Sequence, residues 1–229
     1  MRNKIIIVVL LGIAFVIGIQ VLTHTSNPAP VSKTVITQEK VSNPTPVSTP
    51  KTLTPEEAYK LGFKYETQKR PDFKQAMALY KQAYIYPPAM RQLAALYLTG
   101  LAGETNVDLA TNLMFAAASN NDPQAQGLIA GFYLYGLFPK NTSKALFWAQ
   151  KGADNGDPLS QYILGVFYMQ GQGVPVDTKT AYKWIYMSTR TSPSQDKLDM
   201  LNDLTNRLTT AEIENIKRGT GHTPTPPSK

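Results

Sequence analysis

The sequence predicts an all-α fold, an α/α solenoid of about four stacked helix-pair repeats plus C-terminal capping helices, preceded by one transmembrane helix. Three observations predict it: an uncharged apolar run near the N-terminus, apolar residues at three- and four-residue spacing from residue 54 onward, and a motif that recurs there. The expected segments are a cytoplasmic N-terminus at 1–4, a transmembrane anchor at 5–22, a linker at 23–53, repeats at 54–188, capping helices at 189–218 and a tail at 219–229.

The N-terminal run has the features of a membrane anchor. Residues 5–22 carry no charge, and as a helix they would extend about 27 Å, close to the thickness of the hydrocarbon core of a bilayer. A cleaved signal peptide is the alternative, but residues 21–27 offer no small-residue cleavage site. Arg2 and Lys4 precede the run, so the positive-inside rule predicts a cytoplasmic N-terminus and an exported remainder of the chain.

The next segment has the composition of a spacer. Residues 23–53 are rich in Pro, Ser, Thr and Val, and the heptapeptide SNPAPVS at 26–32 returns as SNPTPVS at 42–48. This composition provides too little apolar surface for a packed core, which predicts a disordered linker, and the proline-containing tail has the same character. A proline-rich ligand for a partner is the alternative interpretation.

Helix starts are marked in the body of the chain. Thr54 stands before a proline and three residues before Glu57, which is the pattern of a capping box. Asp122 and Asp157 also precede prolines. Further N-caps are predicted where an Asp or Asn stands four residues before an alanine, at Asp72, Asn106, Asn141 and Asp177.

Both helices of each predicted pair carry a repeated motif. In the first helices a Leu or Ile, a Gly or Ala and, three positions later, a tyrosine recur, with the tyrosines at Tyr65, Tyr97, Tyr133 and Tyr168. In the second helices an alanine precedes a leucine or tryptophan by three positions, at Ala76, Ala110, Ala145 and Ala181. Small residues allow close helix contacts and large ones fill the space between pairs, so we favour core packing over sugar stacking for the repeated tyrosines and for Trp148 and Trp184.

One unit carries this pattern almost without departure. The stretch LGVFYMQGQGVPVDTKTAYKW at residues 164–184 resembles a Sel-one-like repeat, a relative of the tetratricopeptide repeat. The third unit keeps the tyrosine, alanine and tryptophan positions but lacks the second glycine of the turn, and the first unit lacks the glycine turn altogether. The resemblance covers residues 55–188 and implies a solenoid whose concave face binds proteins or peptides. Terminal capping helices are expected at 195–207 and 213–218.

The resemblance also allows candidate binding residues to be chosen. If the helix pairs follow the tetratricopeptide register, the first helices contribute a partner-binding groove at positions two before the repeated Leu, one after the Gly or Ala, and one after the Tyr. The predicted groove consists of Tyr59, Phe63, Glu66, Arg91, Leu98, Leu134, Tyr162, Val166 and Met169.

Composition excludes several kinds of chemistry. The chain has no cysteine, and its two histidines, His24 and His222, lie near the ends in segments predicted to be unstructured. No disulfide, thiol nucleophile, Ser/His/Asp triad or histidine metal site is therefore expected, and we predict no cofactor and no metal. The formal charge of +7 is spread along the chain without a basic stripe, so no nucleic-acid partner is expected.

Together these features predict a non-enzymatic scaffold. We expect a single-pass protein of the bacterial inner membrane that contacts the lipid bilayer through residues 5–22. Its repeats would face the periplasm and bind a protein or peptide partner of the cell envelope in assembly, secretion or signalling. Two alternatives remain open: a cell-wall or β-lactam-directed hydrolase, and a secreted soluble interaction factor released by signal cleavage.

Overall fold

The computed structural model describes residues 53–221, and that range contains ten α-helices and no β-strand. The helices are α1 (Pro55–Thr67), α2 (Phe73–Gln82), α3 (Pro87–Thr99), α4 (Val107–Ser119), α5 (Pro123–Tyr135), α6 (Thr142–Asp154), α7 (Pro158–Gln170), α8 (Thr178–Thr191), α9 (Gln195–Thr205) and α10 (Thr210–Gly219).

The helices stack in chain order. The first eight form four pairs, each pair packs on the next, and α5 also contacts α7 directly. After the last pair, α9 and α10 both pack on α8. The prediction of an all-α solenoid of four helix pairs with two capping helices is confirmed for residues 53–221.

The N-caps lie where the sequence predicts them. Thr54 and Glu57 form a reciprocal capping box at the start of α1. The predicted Asp and Asn caps accept hydrogen bonds from backbone N–H groups two or three residues later, at Asp72, Asn106, Asp122, Asn141, Asp157 and Asp177. A second capping box, formed by Thr209 and Glu212, starts α10. These bonds satisfy backbone donors that would otherwise lack a partner.

Glycines end three of the first helices. Gly100, Gly136 and Gly171 have φ values of 69°, 85° and 70°, in the left-handed region that favours glycine. In contrast, α1 ends at Gln68 in an extended conformation. The first unit lacks the glycine turn in its sequence, and its first helix accordingly ends in a different backbone conformation.

The repeated large residues contribute to the core. Tyr97 and Trp184 are buried. Tyr65, Tyr133, Tyr168 and Trp148 are partly buried and pack against the buried clusters. The core-packing interpretation of these positions is thus supported.

The predicted transmembrane helix at residues 5–22 and nearly all of the predicted linker lie outside the described residues. Among the helices of residues 53–221, none combines the length and the apolar character needed to cross a membrane.

Candidate functional site

The nine predicted groove residues separate into an accessible set and a buried pair. Phe63 is 40% exposed. Six others are partly buried: Tyr59, Leu98, Leu134, Tyr162, Val166 and Met169. Glu66 is 0% and Arg91 is 6% exposed. These two therefore form part of the interior, which differs from their predicted position on the surface of a groove.

Arg91 is held by an ion pair between repeats. Its Nε lies 2.9 Å from Oδ1 of Asp122, and both side chains are almost completely buried. The same Asp122 oxygen accepts the backbone N–H of Ala125, so it caps α5 and neutralises Arg91 of α3 at once. Breaking a buried pair of this kind typically costs about 3–5 kcal/mol because one charge remains uncompensated. Arg91 thus fixes the second repeat against the third.

Glu66 lies at the other end of the same polar network. Its Oε2 accepts hydrogen bonds from the Tyr80 hydroxyl and from Nε2 of Gln92, and the Gln92 Oε1 accepts Nη1 of Arg91. The Glu66 Oε1 has no hydrogen-bond partner among the described residues. Burial raises the pKa of Glu66, while the Tyr80 hydrogen bond and the Arg91 charge lower it. Every member of the network is buried, so its hydrogen bonds hold the first three repeats together.

A related arrangement occurs one repeat later. Asp157 caps α7, and its Oδ2 accepts both the backbone N–H and the hydroxyl of Ser160 at 2.7 Å. Burial raises the pKa of Asp157. A Cβ on Gly127 would lie 2.1 Å from this oxygen, so glycine at this position leaves the space that Asp157 occupies.

At the N-terminal end of the solenoid, three aromatic side chains lie together. We define the aromatic patch as Tyr59, Phe63 and Tyr86. The ring centroid of Tyr59 lies 6.1 Å from that of Phe63 and 5.2 Å from that of Tyr86. Burial raises the pKa of Tyr59, while the nearby Arg91 lowers it. The patch is an apolar surface with a fixed arrangement of rings.

At the C-terminal end, the equivalent positions are partly covered by the helices that follow α7. Tyr162, Val166 and Met169 of α7 pack against the cluster that α8, α9 and α10 build around Ile185, Leu204 and Ile213. The ammonium group of Lys197 lies 5.8 Å from the Tyr162 ring centroid and donates to the Ser192 carbonyl. Burial lowers the pKa of Lys197.

Sequence reasoning missed one residue of this surface. Tyr135, the last residue of α5, is exposed, and partial burial together with neighbouring Tyr162 raises its pKa. It links the surfaces of the third and fourth repeats. The sequence indicates this residue only through its position as an aromatic residue immediately before the terminal glycine of α5. The positions chosen from the tetratricopeptide register do not include it.

Comparisons with known proteins agree with this architecture. The Sel1 repeat matches residues 58–84, 87–122, 123–157 and 158–189. The chain is 35% identical over 121 residues to chitin synthase regulator SKT5 of Saccharomyces cerevisiae, covering 50% of this chain and 17% of that protein. It is also 35% identical over 112 residues to chitin synthase regulatory factor 3 of Schizosaccharomyces pombe, covering 46% of this chain and 12% of that protein. The chain thus spans less than a fifth of the length of these relatives.

A solved structure shares the fold. The Sel1 repeat protein from Oxalobacter formigenes superposes with a TM-score of 0.57 at 21% identity, over 73% of this chain and 70% of that one. At this identity the likeness concerns the fold alone.

Two predictions drawn from the sequence are wrong. The relatives are regulators of chitin synthase from fungi, which contradicts the predicted periplasm-facing adaptor of a bacterial cell envelope. The same relatives contradict the predicted location in a bacterial inner membrane. The physical reason for both errors is that a solenoid pattern specifies helix stacking and carries no information about organism or compartment.

Proposed function

Because the chain belongs to the Sel1 repeat family, we propose that it is a non-catalytic scaffold that binds a protein partner along the first helices of its repeats and regulates that partner. One observation carries the proposal. Four register positions of α1, α3 and α5 carry exposed or partly buried apolar side chains, which are Tyr59, Phe63, Leu98 and Leu134, while the corresponding Tyr162, Val166 and Met169 of α7 are partly buried against the capping helices. A row of such side chains on a stacked scaffold is the kind of surface that binds an extended or helical segment of another protein.

The names of the relatives suggest a class of partner. Two fungal proteins that share the repeats are named as regulators of chitin synthase, which supports a role in controlling another protein. A polysaccharide synthase is therefore the first partner to test, with chitin synthase as the representative. The shared region is a small part of those relatives, so this partner belongs to the proposal alone.

The layout around the repeats also forms part of the proposal. The 18-residue apolar run of residues 5–22 supports a membrane anchor, and residues 23–53 support a spacer between it and the repeats.

We expect the full chain to remain in the membrane pellet after extraction at alkaline pH. A Leu11→Lys and Phe15→Lys chain would move to the supernatant, and if the double variant stayed in the pellet the anchor would be ruled out.

The groove is tested by co-purification. Full-length tagged chain is incubated with detergent-solubilised fungal membranes that contain chitin synthase, and the recovered synthase is quantified. We expect Phe63→Glu combined with Tyr135→Glu to reduce recovery at least tenfold, because both exposed rings would be replaced by charges on the binding surface.

The matched control replaces an exposed aromatic residue elsewhere. Phe147 of α6 is exposed on a second helix, so Phe147→Glu should leave recovery unchanged. Equal helix content by circular dichroism in all three proteins establishes that folding is intact. Unchanged recovery with the groove variant would contradict the groove, and failure of the unmodified chain to recover the synthase would contradict the partner class.

A further inference from the structure

The aromatic patch is an apolar surface at the start of the described chain, with no described helix before it. Phe63 is its most exposed ring. The turn that carries Tyr86 is also apolar, since Tyr84 and Ile85 are 61% and 60% exposed. The equivalent turns of the next two repeats hold polar residues and glycine, namely Asn120, Asn121, Asn155 and Gly156. The first repeat therefore differs from its neighbours in exposing apolar surface where they expose polar groups.

The opposite end of the solenoid indicates what covers such a surface. In the repeat register, Tyr59 and Phe63 of α1 correspond to Tyr162 and Val166 of α7. At α7 these positions pack against the cluster built by α8 and the capping helices. The chain that follows the repeats thus covers the last repeat. Tyr59 already contacts Tyr86 of the next repeat, whereas Phe63 stays 40% exposed, and the chain immediately before α1 is the candidate cover for this exposed ring.

A segment of suitable chemistry lies within reach. The heptapeptide of residues 42–48 contains Pro44 and Pro46, has no charged side chain, and ends six positions before Thr54. Pro46 lies eight positions before Thr54, which allows a span of about 25 Å at roughly 3.1 Å per residue. Phe63 lies eight positions after Pro55, about 12 Å along α1. The segment can therefore turn back along α1 and reach each ring of the patch.

Proline-rich segments and aromatic surfaces are complementary. A polyproline II segment is already extended, so it loses little conformational entropy on binding, and aromatic-lined grooves recognise its proline rings. The ring centroids of the patch are 5.2–6.1 Å apart along Phe63, Tyr59 and Tyr86. Two prolines separated by one residue in polyproline II are about 6 Å apart along the axis and lie on two of its three faces, so the two proline rings can contact neighbouring rings of the patch.

We propose that residues 42–48 bind to the aromatic patch of the same chain as a polyproline II segment. The duplicate at residues 26–32 is a second ligand for the same patch. Its Pro30 lies 24 positions before Thr54, three times as far as Pro46, so its effective concentration is about fivefold lower. Because the occupant is part of this chain, the inference does not depend on the proposed function, although a bound segment would compete with any partner that contacts Phe63.

The test uses photo-crosslinking in the full chain. Phe63 is replaced by p-benzoylphenylalanine, which keeps an aromatic ring, in an equimolar mixture of isotopically light and heavy protein in detergent. After irradiation and trypsin digestion, we expect crosslinks to the peptide of residues 41–51, with both halves from the same isotope pool. Crosslinks to residues 26–32 should be about fivefold fewer.

Two comparisons control the measurement. Pro44→Ala combined with Pro46→Ala should lower the yield of the 41–51 crosslink at least fivefold. Pro224→Ala combined with Pro226→Ala, which has the same spacing in the C-terminal tail, should leave it unchanged. The same crosslinker at Phe147 of α6 should give no product with residues 41–51.

Several results would overturn the proposal. Crosslinks between light and heavy chains would make a second copy the occupant. Absence of any product with residues 1–52, at helix content equal to that of the unmodified chain, would show that no part of the N-terminal segment reaches the patch.

Discussion

Glu66 has one carboxylate oxygen bonded and the other without a partner among the described residues, in the interior of the first helix pair. Burial raises its pKa, so the native state binds a proton more tightly than the unfolded chain, in which a glutamate titrates near pH 4.3. Between those two pKa values the folded protein holds more protons, and stability falls as pH rises. Glu66 therefore contributes most to the free energy of unfolding below its ordinary pKa. This contribution is lost as the pH rises through the raised pKa.

Glu66→Gln should remove this dependence. The amide oxygen can still accept from Tyr80, and no buried charge remains. We expect the free energy of unfolding to rise by about 1–2 kcal/mol at pH 8 and to change little at pH 4, measured by urea denaturation followed by circular dichroism. The exposed Glu56 supplies the control, because Glu56→Gln should change stability by under about 0.5 kcal/mol at both pH values. If Glu66→Gln lowered the free energy of unfolding more at pH 8 than at pH 4, the result would contradict a raised pKa of Glu66.

The burial of the residues assigned to the proposed groove is only partly predictable from the sequence. Phe63 and Tyr162 lie on first helices and keep solvent-exposed surface, and their part in a groove stays a prediction. The register could not show that Arg91 and Glu66 turn inward, because their partners lie 14 to 31 positions away on other helices. A loss of partner binding on replacing Arg91 would therefore reflect lost packing between repeats and would give no information on the groove.

At the scale of helices, replacing a glycine with alanine is expected to have opposite effects on stability at two positions. A Cβ on Gly165 of α7 would lie 2.6 Å from Cδ1 of Ile185 and 3.2 Å from its backbone nitrogen, whereas a Cβ on Gly131 of α5 would find no atom nearer than 3.9 Å. Gly165→Ala should cost about 1–3 kcal/mol because α7 and α8 must separate. Gly131→Ala should add about 0.5–1 kcal/mol because alanine favours the helix.

Thermal and urea unfolding of both variants measures these changes. Gly131→Ala is the matched control, since it adds the same methyl group to a first helix at a site with space for it. Equal effects of the two substitutions would mean that the close contact of α7 with α8 does not limit the size of residue 165.

The helices themselves were the most predictable part of the fold. Each Asp or Asn cap is a local signal, because its side chain bonds a backbone group two or three residues later. The two capping helices were predicted near residues 195–207 and 213–218 and lie at Gln195–Thr205 and Thr210–Gly219. Helix α3 is the exception, since it follows Tyr86 with no side-chain cap bond, and only its two prolines mark its start.

At the scale of the whole molecule, the stack of repeats determines how a local change spreads. Each pair contacts its neighbours, and no single cluster of buried residues extends over the whole stack. Stability is then close to a sum of repeat and interface contributions. A partner that contacts several repeats would stabilise the interfaces between them, so binding and repeat order are expected to be coupled.

Leu204→Ala tests this picture at the C-terminal end. Leu204 is 1% exposed on α9 and packs with Tyr182 and Ile185 of α8, so its truncation should cost about 2–5 kcal/mol locally. We expect amide hydrogen exchange in α8, α9 and α10 to accelerate at least tenfold while α1 to α4 stay within about twofold of the unmodified chain. Leu198→Ala, on the exposed side of the same helix, should change neither region. Uniform acceleration from α1 to α10 would instead mean that the solenoid opens as one cooperative unit, because the loss of a contact at one end would then be felt equally at the other.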